Sequence, residues 1–484
     1  MALATVAASL LLEGCTVGPD YSPPDLDLPS EWISAESGDE VNSNAEELAH
    51  WWASFDDPLL TELVSEAIAS NLDLQTALSR VREARLQAGI TSAEQFPTLD
   101  ASGSATQSFT RSRTENPATG KTVGETTDAR TYRAGFDASW EVDVFGGVRR
   151  SVEASEHDYE AEVASYNDVL VSLTAEVATN YVAVRTYQAR IRIAEENLAA
   201  QQESLELVEA RHEAQISSEL PVMQARSNLQ TTQSQIPSLR ASLNESMNRL
   251  AILLGELPGT LQERLEEAQP IPAVQDSVSI GVPSEALRCR PDIRQAEKSL
   301  AAQVSRVGVA VADLYPKFMI TGAVSRQGEG TKGFRELATD TLSFGPNMTW
   351  RVFDRGQVKN TVKLEEERAD QLLLAFRSSV LSAMEEVENK LTSVERMKEQ
   401  RAHLQTAVES TESVLELARA QYEAGQVSFS EVIDAQQSLL SLQDNLAQTE
   451  SEIVTETISL YKAAGGGWDA PSDLAFDIPS TKES

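Results

Sequence analysis

The chain is poor in the groups from which most active sites are built. It has two cysteines, Cys15 and Cys289, in 484 residues, so no disulfide framework holds the fold and packing must do so. Its four histidines, His50, His157, His212 and His403, lie far apart without metal-ligand spacing, and neither a Gly-x-Ser-x-Gly elbow nor a phosphate loop occurs. An enzyme is therefore not expected, and neither is a cofactor or a metal. Basic residues are also scarce: 40 Lys and Arg against 75 Asp and Glu leave a formal charge of −35, which excludes a nucleic-acid surface. The longest uncharged apolar run, Ala2 to Leu12, has eleven residues, whereas a spanning helix needs about twenty. A membrane β-barrel stays open, because its short alternating strands barely register in hydropathy.

What is present begins with that apolar run. Residues 1–14 read as a signal peptide that lacks its basic flank, which points to a start upstream of Met1. The run ends in Leu12-Glu13-Gly14-Cys15, similar to a bacterial lipoprotein box in which Cys15 is acylated, with Glu13 atypical at its position. In that pattern Thr16 replaces the Asp that favours inner-membrane retention, so outer-membrane lipid is the expected anchor. The plainer reading is an incidental cysteine.

Sliding the sequence on itself by 210 residues superposes Trp140 on Trp350, Gly146 on Gly356, Leu205 on Leu415 and Gly255 on Gly465. Upstream the shift is 219, placing Asp73 on Asp292 and Phe96-Pro97 on Tyr315-Pro316, so the first copy carries a nine-residue insertion between Pro97 and Trp140. Two halves of one design are present. Each reads helix, two strands, long helix, second helix.

Tyr132, Phe136, Trp140 and Val142 alternate with Arg133, Asp137 and Glu141, and Leu342, Phe344, Met348 and Trp350 alternate with Ser343, Asn347 and Thr349. This period of two over about eleven residues suits a membrane strand with lipid on one side and water on the other. A half-buried hairpin on a soluble core is the alternative. Partner strands are expected near Leu99 to Phe109 and Phe318 to Arg326. From Gly146 and from Gly356 about 68 residues run without proline, roughly 100 Å of helix. Val163, Leu170, Val177, Val184, Ile191, Leu198 and Leu205 recur every seven residues, which implies left-handed supercoiling. Helices of about 36 and 23 residues complete each copy, and Pro237 is expected to kink one of them. Four strands cannot close a barrel around a lumen, and open edges in lipid are not tolerated, so three chains with twelve strands are expected.

At this point the chain resembles the TolC-like outer-membrane factors of bacterial efflux, most closely their lipoprotein branch serving resistance-nodulation-division pumps. The resemblance covers the whole chain and rests on Val17-Gly18-Pro19-Asp20-Tyr21, Trp51-Trp52, Asn71-Leu72-Asp73-Leu74, Trp140-Glu-Val-Asp-Val-Phe145-Gly146, Arg290-Pro291-Asp292-Ile293, Tyr422-Glu-Ala-Gly425 and Asp434-Ala435-Gln436. Cys289 and Gln437 depart from it, each standing where arginine is usual or frequent.

The resemblance implies a mainly α fold with a membrane β-barrel part: a homotrimer forming a twelve-stranded barrel atop a long periplasmic α-helical barrel. The chain divides into residues 1–14, the lipidated and equatorial segment 15–60, a first repeat 61–255, an equatorial linker 256–285, a second repeat 286–465 and a tail 466–484. It further implies a passive outer-membrane channel for drugs or other small molecules, partnered by a periplasmic adaptor protein and an inner-membrane pump. The tips containing Gln215, Ser217 and Ser218, and Gly425 and Ser428, would meet the adaptor. Gly425 suits a left-handed helix end, and Ser428 is expected to accept a backbone hydrogen bond at the next helix start. Asp434, with Glu431 on nearly the same helix face, would line the narrow periplasmic aperture; Gln224 and Pro221 occupy these positions in the first copy. Both acids facing water on the outer wall is the alternative. For the whole chain, a protein-secretion duct and a free-standing coiled-coil scaffold remain alternatives, the latter leaving hairpins and duplication unexplained. Glu365-Glu366-Glu367 reads as a solvated helix face.

Overall fold

A computed structural model describes residues 16–25, 29, 32–33, 48–115, 120, 122–274 and 283–468. Cys15, the residues before it and the tail beyond Trp468 lie outside the described residues. The order is a 3₁₀ turn (Trp51–Phe55), α1 (Pro58–Ser70), α2 (Leu72–Ala93), β1 (Thr98–Glu115), β2 (Thr122–Val142), α3 (Gly147–Glu213) and α4 (Glu219–Leu253). There follow α5 (Pro283–Cys289), α6 (Pro291–Ala312), β3 (Lys317–Glu329), α7 (Gly330–Glu336), β4 (Thr339–Thr349), α8 (Gln357–Glu423) and α9 (Phe429–Ala463). The duplication is carried by equal helices: α2 and α6 have 22 residues each, α3 and α8 have 67, α4 and α9 have 35. Helix α4 runs on through Pro237.

Two compact units emerge, residues 1–24, 82–161 and 297–375 in the first, and 25–81, 162–296 and 376–484 in the second. The first unit holds one antiparallel sheet in the order β1-β2-β3-β4. Both expected partner strands are present. They differ from expectation in length: β1 and β2 span 18 and 21 residues against 13 and 11 for β3 and β4. The nine-residue insertion accounts for this, lengthening the first hairpin as strand, while the second hairpin turns through α7.

The second unit has the main apolar core. Leu60, Leu63, Val64, Tyr181, Leu250, Leu254 and Ile458 are buried there, and Trp51 stacks on Tyr461 at 5.5 Å. Helix α1 is started by Pro58 in its first turn and by Asp57, whose carboxylate accepts the Leu59 and Leu60 amides at 3.0 and 3.1 Å. This core also takes in part of the heptad stripe. Val177 and Val184 of the heptad stripe are fully buried within a single chain, packed with α1, α4 and residues 261–265. At that level the stripe is covered inside the subunit and is not a free seam. Glu365 is likewise not simply solvated: it accepts the Gln303 amide at 2.6 Å and pairs with Arg368 at 2.7 Å, because α6 packs beside it.

Candidate functional site: a membrane sheet and two helical tips

In the first unit the sheet register sorts side chains into two faces. Rows Val142–Phe318–Met348, Trp140–Ile320–Pro346, Leu99–Ala138–Gly322–Phe344 and Ala101–Phe136–Val324–Leu342 lie on one face. Rows Asp100–Asp137–Ala323–Ser343, Ser102–Gly135–Ser325–Thr341 and Thr98–Ser139–Thr321–Gly345 lie on the other. Phe344 and Leu342 are each 78% exposed, an arrangement that water alone would penalise and that lipid rewards. The outer edges of β1 and β4 pair with no strand among the described residues. Two tryptophans anchor the helix-proximal edge equivalently: the indole N–H of Trp140 donates to the Gln95 carbonyl at 2.9 Å and that of Trp350 to the Leu314 carbonyl at 3.1 Å. Such aromatic girdles mark a membrane interface.

The segment after Cys15 docks beside this sheet. The Val17 amide donates to the Phe145 carbonyl at 3.1 Å, and Gly18, at φ 93°, lies so close to the Gly308 backbone that a side chain at Gly18 would clash with it, while one at Gly308 would press on the Arg150 side chain. Arg150, almost fully buried, pairs with Asp20 and Glu153. Tyr21 donates to Glu297, and burial together with that carboxylate raises its phenol above the usual range. Burial alone would raise Glu160, but hydrogen bonds from Lys298 and His157 outweigh it and hold the carboxyl below the ordinary value. Sequence reasoning quoted the Val-Gly-Pro-Asp-Tyr motif without its partners; the left-handed glycine is the signal it carried.

In the second unit the tips face each other as near copies. At the first, Gln215 takes φ 61°, its amide bonding the His212 carbonyl and that of Ile216 the Arg211 carbonyl; at the second, Gly425 takes φ 74°, with Gly425 to Tyr422 and Gln426 to Gln421, all four bonds at 2.9 Å. Both are helix ends of the Schellman type. Ser218 and Ser428 hold the N-cap positions of α4 and α9 in extended backbone, without a side-chain capping bond. For Ser428 this corrects the expectation: its hydroxyl pairs with that of Ser430 at 2.5 Å, the nearer polar group. Ser217 directs its hydroxyl to the Ser218 carbonyl at 3.4 Å. One shared core of Leu205, Val208, Val222, Tyr422, Phe429 and Val432 joins the tips. Across it Arg211 lies 4.9 Å over the Tyr422 ring and donates to the Tyr422 and Glu423 carbonyls at 3.3 and 3.1 Å, closing the end of α8. Sequence reasoning missed Arg211; a cation in the last helical turn was its only trace.

Glu431 and Asp434 are exposed on one side of α9, whose opposite side buries Val432, Ala435 and Gln436. Beside them runs an amide ladder: Gln437 donates to Asn228 at 3.0 Å, Asn228 to Gln436 at 3.2 Å and Gln436 to Ser204 at 2.9 Å. The duplication also survives where each tip-return helix ends. Asn71 donates to the Leu253 carbonyl at 2.9 Å and its counterpart Arg290 to the Ala463 carbonyl at 2.7 Å. Gly255 and Gly465, at φ 72° and 78°, press against Ser70 and Cys289 there.

The outer membrane efflux protein family matches residues 63–256 and 282–466. A nodulation protein T of Rhizobium leguminosarum bv. trifolii is 33% identical over 465 residues, 95% of this chain and 96% of that protein. The cation efflux system protein CusC of Escherichia coli K12 is 29% identical over 95% of this chain and 98% of its own length. Among solved structures, the outer-membrane channel OprN superposes with a TM-score of 0.85 at 34% identity, covering 94% of this chain and all of that one. The two-copy match, the inverted sheet and the paired tips agree: this chain belongs to the outer membrane efflux protein family and is an efflux channel of the bacterial outer membrane.

Proposed function

We propose that three copies close their sheets into a twelve-stranded barrel and conduct drugs or other small solutes passively to the exterior. The observation that carries this is a sheet with apolar side chains turned outward and both edge strands unpaired: neither feature is stable in water, and both are resolved by lipid and by neighbouring copies. A periplasmic adaptor serving an inner-membrane pump docks on the tips around Gln215, Ser217, Ser218, Gly425 and Ser428, where the backbone turns are exposed. Cys15 carries lipid, which mass spectrometry of the mature N-terminus reads directly.

Three Asp434 and three Glu431 side chains converge at the periplasmic end, supported by their exposure on a common face of α9. Like charges there attract cations. Native mass measurement in detergent tests the assembly, and a stable monomer overturns it. Single-channel recording of the trimer then tests the aperture: Asp434→Ala with Glu431→Ala weakens cation selectivity and block by multivalent cations, and unchanged values remove the assignment.

A further inference from the structure

The outward face of the first hairpin continues well past its apolar band. From Trp140 to Tyr132 that band runs eight residues of β2, about 27 Å along the strand, and Tyr132 ends it beside Phe334, ring centroids 6.4 Å apart. Beyond Tyr132 the same face carries Arg130 opposite Gln107, Asp128 opposite Phe109, Arg111 opposite Thr126 and Arg113 opposite Gly124. Arg130 uses its Nε on the Gln107 carbonyl at 3.0 Å, and the Gln107 amide nitrogen in turn satisfies Asp128 at 3.0 Å. The terminal nitrogens of Arg130, and both guanidinium groups of Arg111 and Arg113, therefore have no partner among the described residues. In a chain of formal charge −35, three arginines are gathered on one face of one hairpin, directly in line with the lipid-facing rows.

We propose that this face binds the phosphorylated, acidic headgroup of an outer-leaflet glycolipid. The proposal rests on the barrel reading, which turns this face toward lipid. A guanidinium fork matches phosphate and carboxylate bidentately. Height selects the lipid: a phospholipid headgroup adds only about 5–8 Å beyond the hydrocarbon of each leaflet. Arg111 and Arg113 stand about 20 and 27 Å beyond Tyr132 along the strand, which at the ~35–45° tilt of barrel strands is roughly 15 and 20 Å of height, within reach only of a headgroup that extends through charged sugars. Gly124, opposite Arg113, leaves room for such a group against the strand.

The test uses the full-length trimer in non-ionic detergent. After delipidation it is mixed with purified lipid A bearing its inner-core sugars, with phosphatidylglycerol, or with inorganic phosphate, and bound molecules are counted by native mass spectrometry. The wild-type trimer retains the glycolipid, and Arg111→Gln with Arg113→Gln and Arg130→Gln lowers retention at least tenfold, while the three Arg→Lys changes, which keep the charge and lose the fork, give retention between the two. Equal retention by the glutamine variant, or equal binding of phosphatidylglycerol by the wild type, overturns the glycolipid surface and leaves the barrel standing. Should the triple glutamine variant not assemble, Arg111→Gln with Arg113→Gln, both clear of the apolar band, gives the same reading. A wild-type chain that forms no trimer overturns the barrel, and this surface with it.

Discussion

The sheet and the helical core use the same residue types in opposite senses. In the second unit Leu60, Leu63 and Val184 are at 0% exposure, while in the sheet Phe344 and Leu342 stand outside and Asp100, Ser102 and Asp137 occupy the other face. Burial from water drives both. What differs is the medium that takes the apolar face: the chain's own helices in one region, lipid in the other. A substitution should therefore be judged by the medium it meets, and five changes test this, two of them across the two regions and three within the helical unit.

The largest effect is expected from Val184→Asp. A carboxylate without a partner in that core costs several kcal/mol, so helical content and trimer are both lost, measured by circular dichroism and native electrophoresis. Phe344→Arg should instead leave the helical unit folded in detergent. Its cost, about 2–4 kcal/mol near the bilayer centre, appears in refolding into lipid vesicles; equal damage in detergent would mean that this face packs against protein.

Next in size is Tyr181, which donates to Asp57 at 2.5 Å and receives Arg185. Burial, then the hydrogen bond to Asp57, pushes its phenol up to about 12 from 10.0. The folded chain thus holds a proton that the unfolded chain releases, and stability is full below pH 10 and falls as pH rises toward 12. Tyr181→Phe is expected to cost about 1 kcal/mol at neutral pH and to flatten alkaline unfolding between those values; an unchanged profile would assign the loss to other groups. The smallest effects lie at the tips. Gln215→Gly should gain, and Gly425→Ala lose, roughly 0.5–1 kcal/mol, since both sites need a left-handed residue. Thermal unfolding reads the opposite signs, and equal signs would show that the tips are not equivalent.

Sequence reasoning reached the sheet because alternation is local: Tyr132 through Val142 declare two faces without reference to any neighbour. It reached the duplication because shifts of 210 and 219 need only the sequence itself. It did not see that the heptad position Val184 is covered by α1, α4 and residues 261–265, since a seven-residue period states that a face is apolar and not what lies on it. Ser428 failed for a related reason. Its position at a helix start was legible, but the choice between a backbone amide and the Ser430 hydroxyl depends on ångström-scale geometry.

Periodicity and repeat determined by themselves that this protein has two copies of helix, hairpin, long helix and return helix and a lipid-compatible strand face. These properties follow from how a residue relates to others a few positions away. Only the tertiary structure decided the rest: Gly18 against Gly308, Arg150 on Asp20, Arg211 reaching the Tyr422 carbonyl, and Asn71 and Arg290 each closing the end of the return helix of its own copy. Each of these joins residues more than a hundred positions apart through short-range contacts, and no local pattern encodes which distant atom will arrive within a few ångströms.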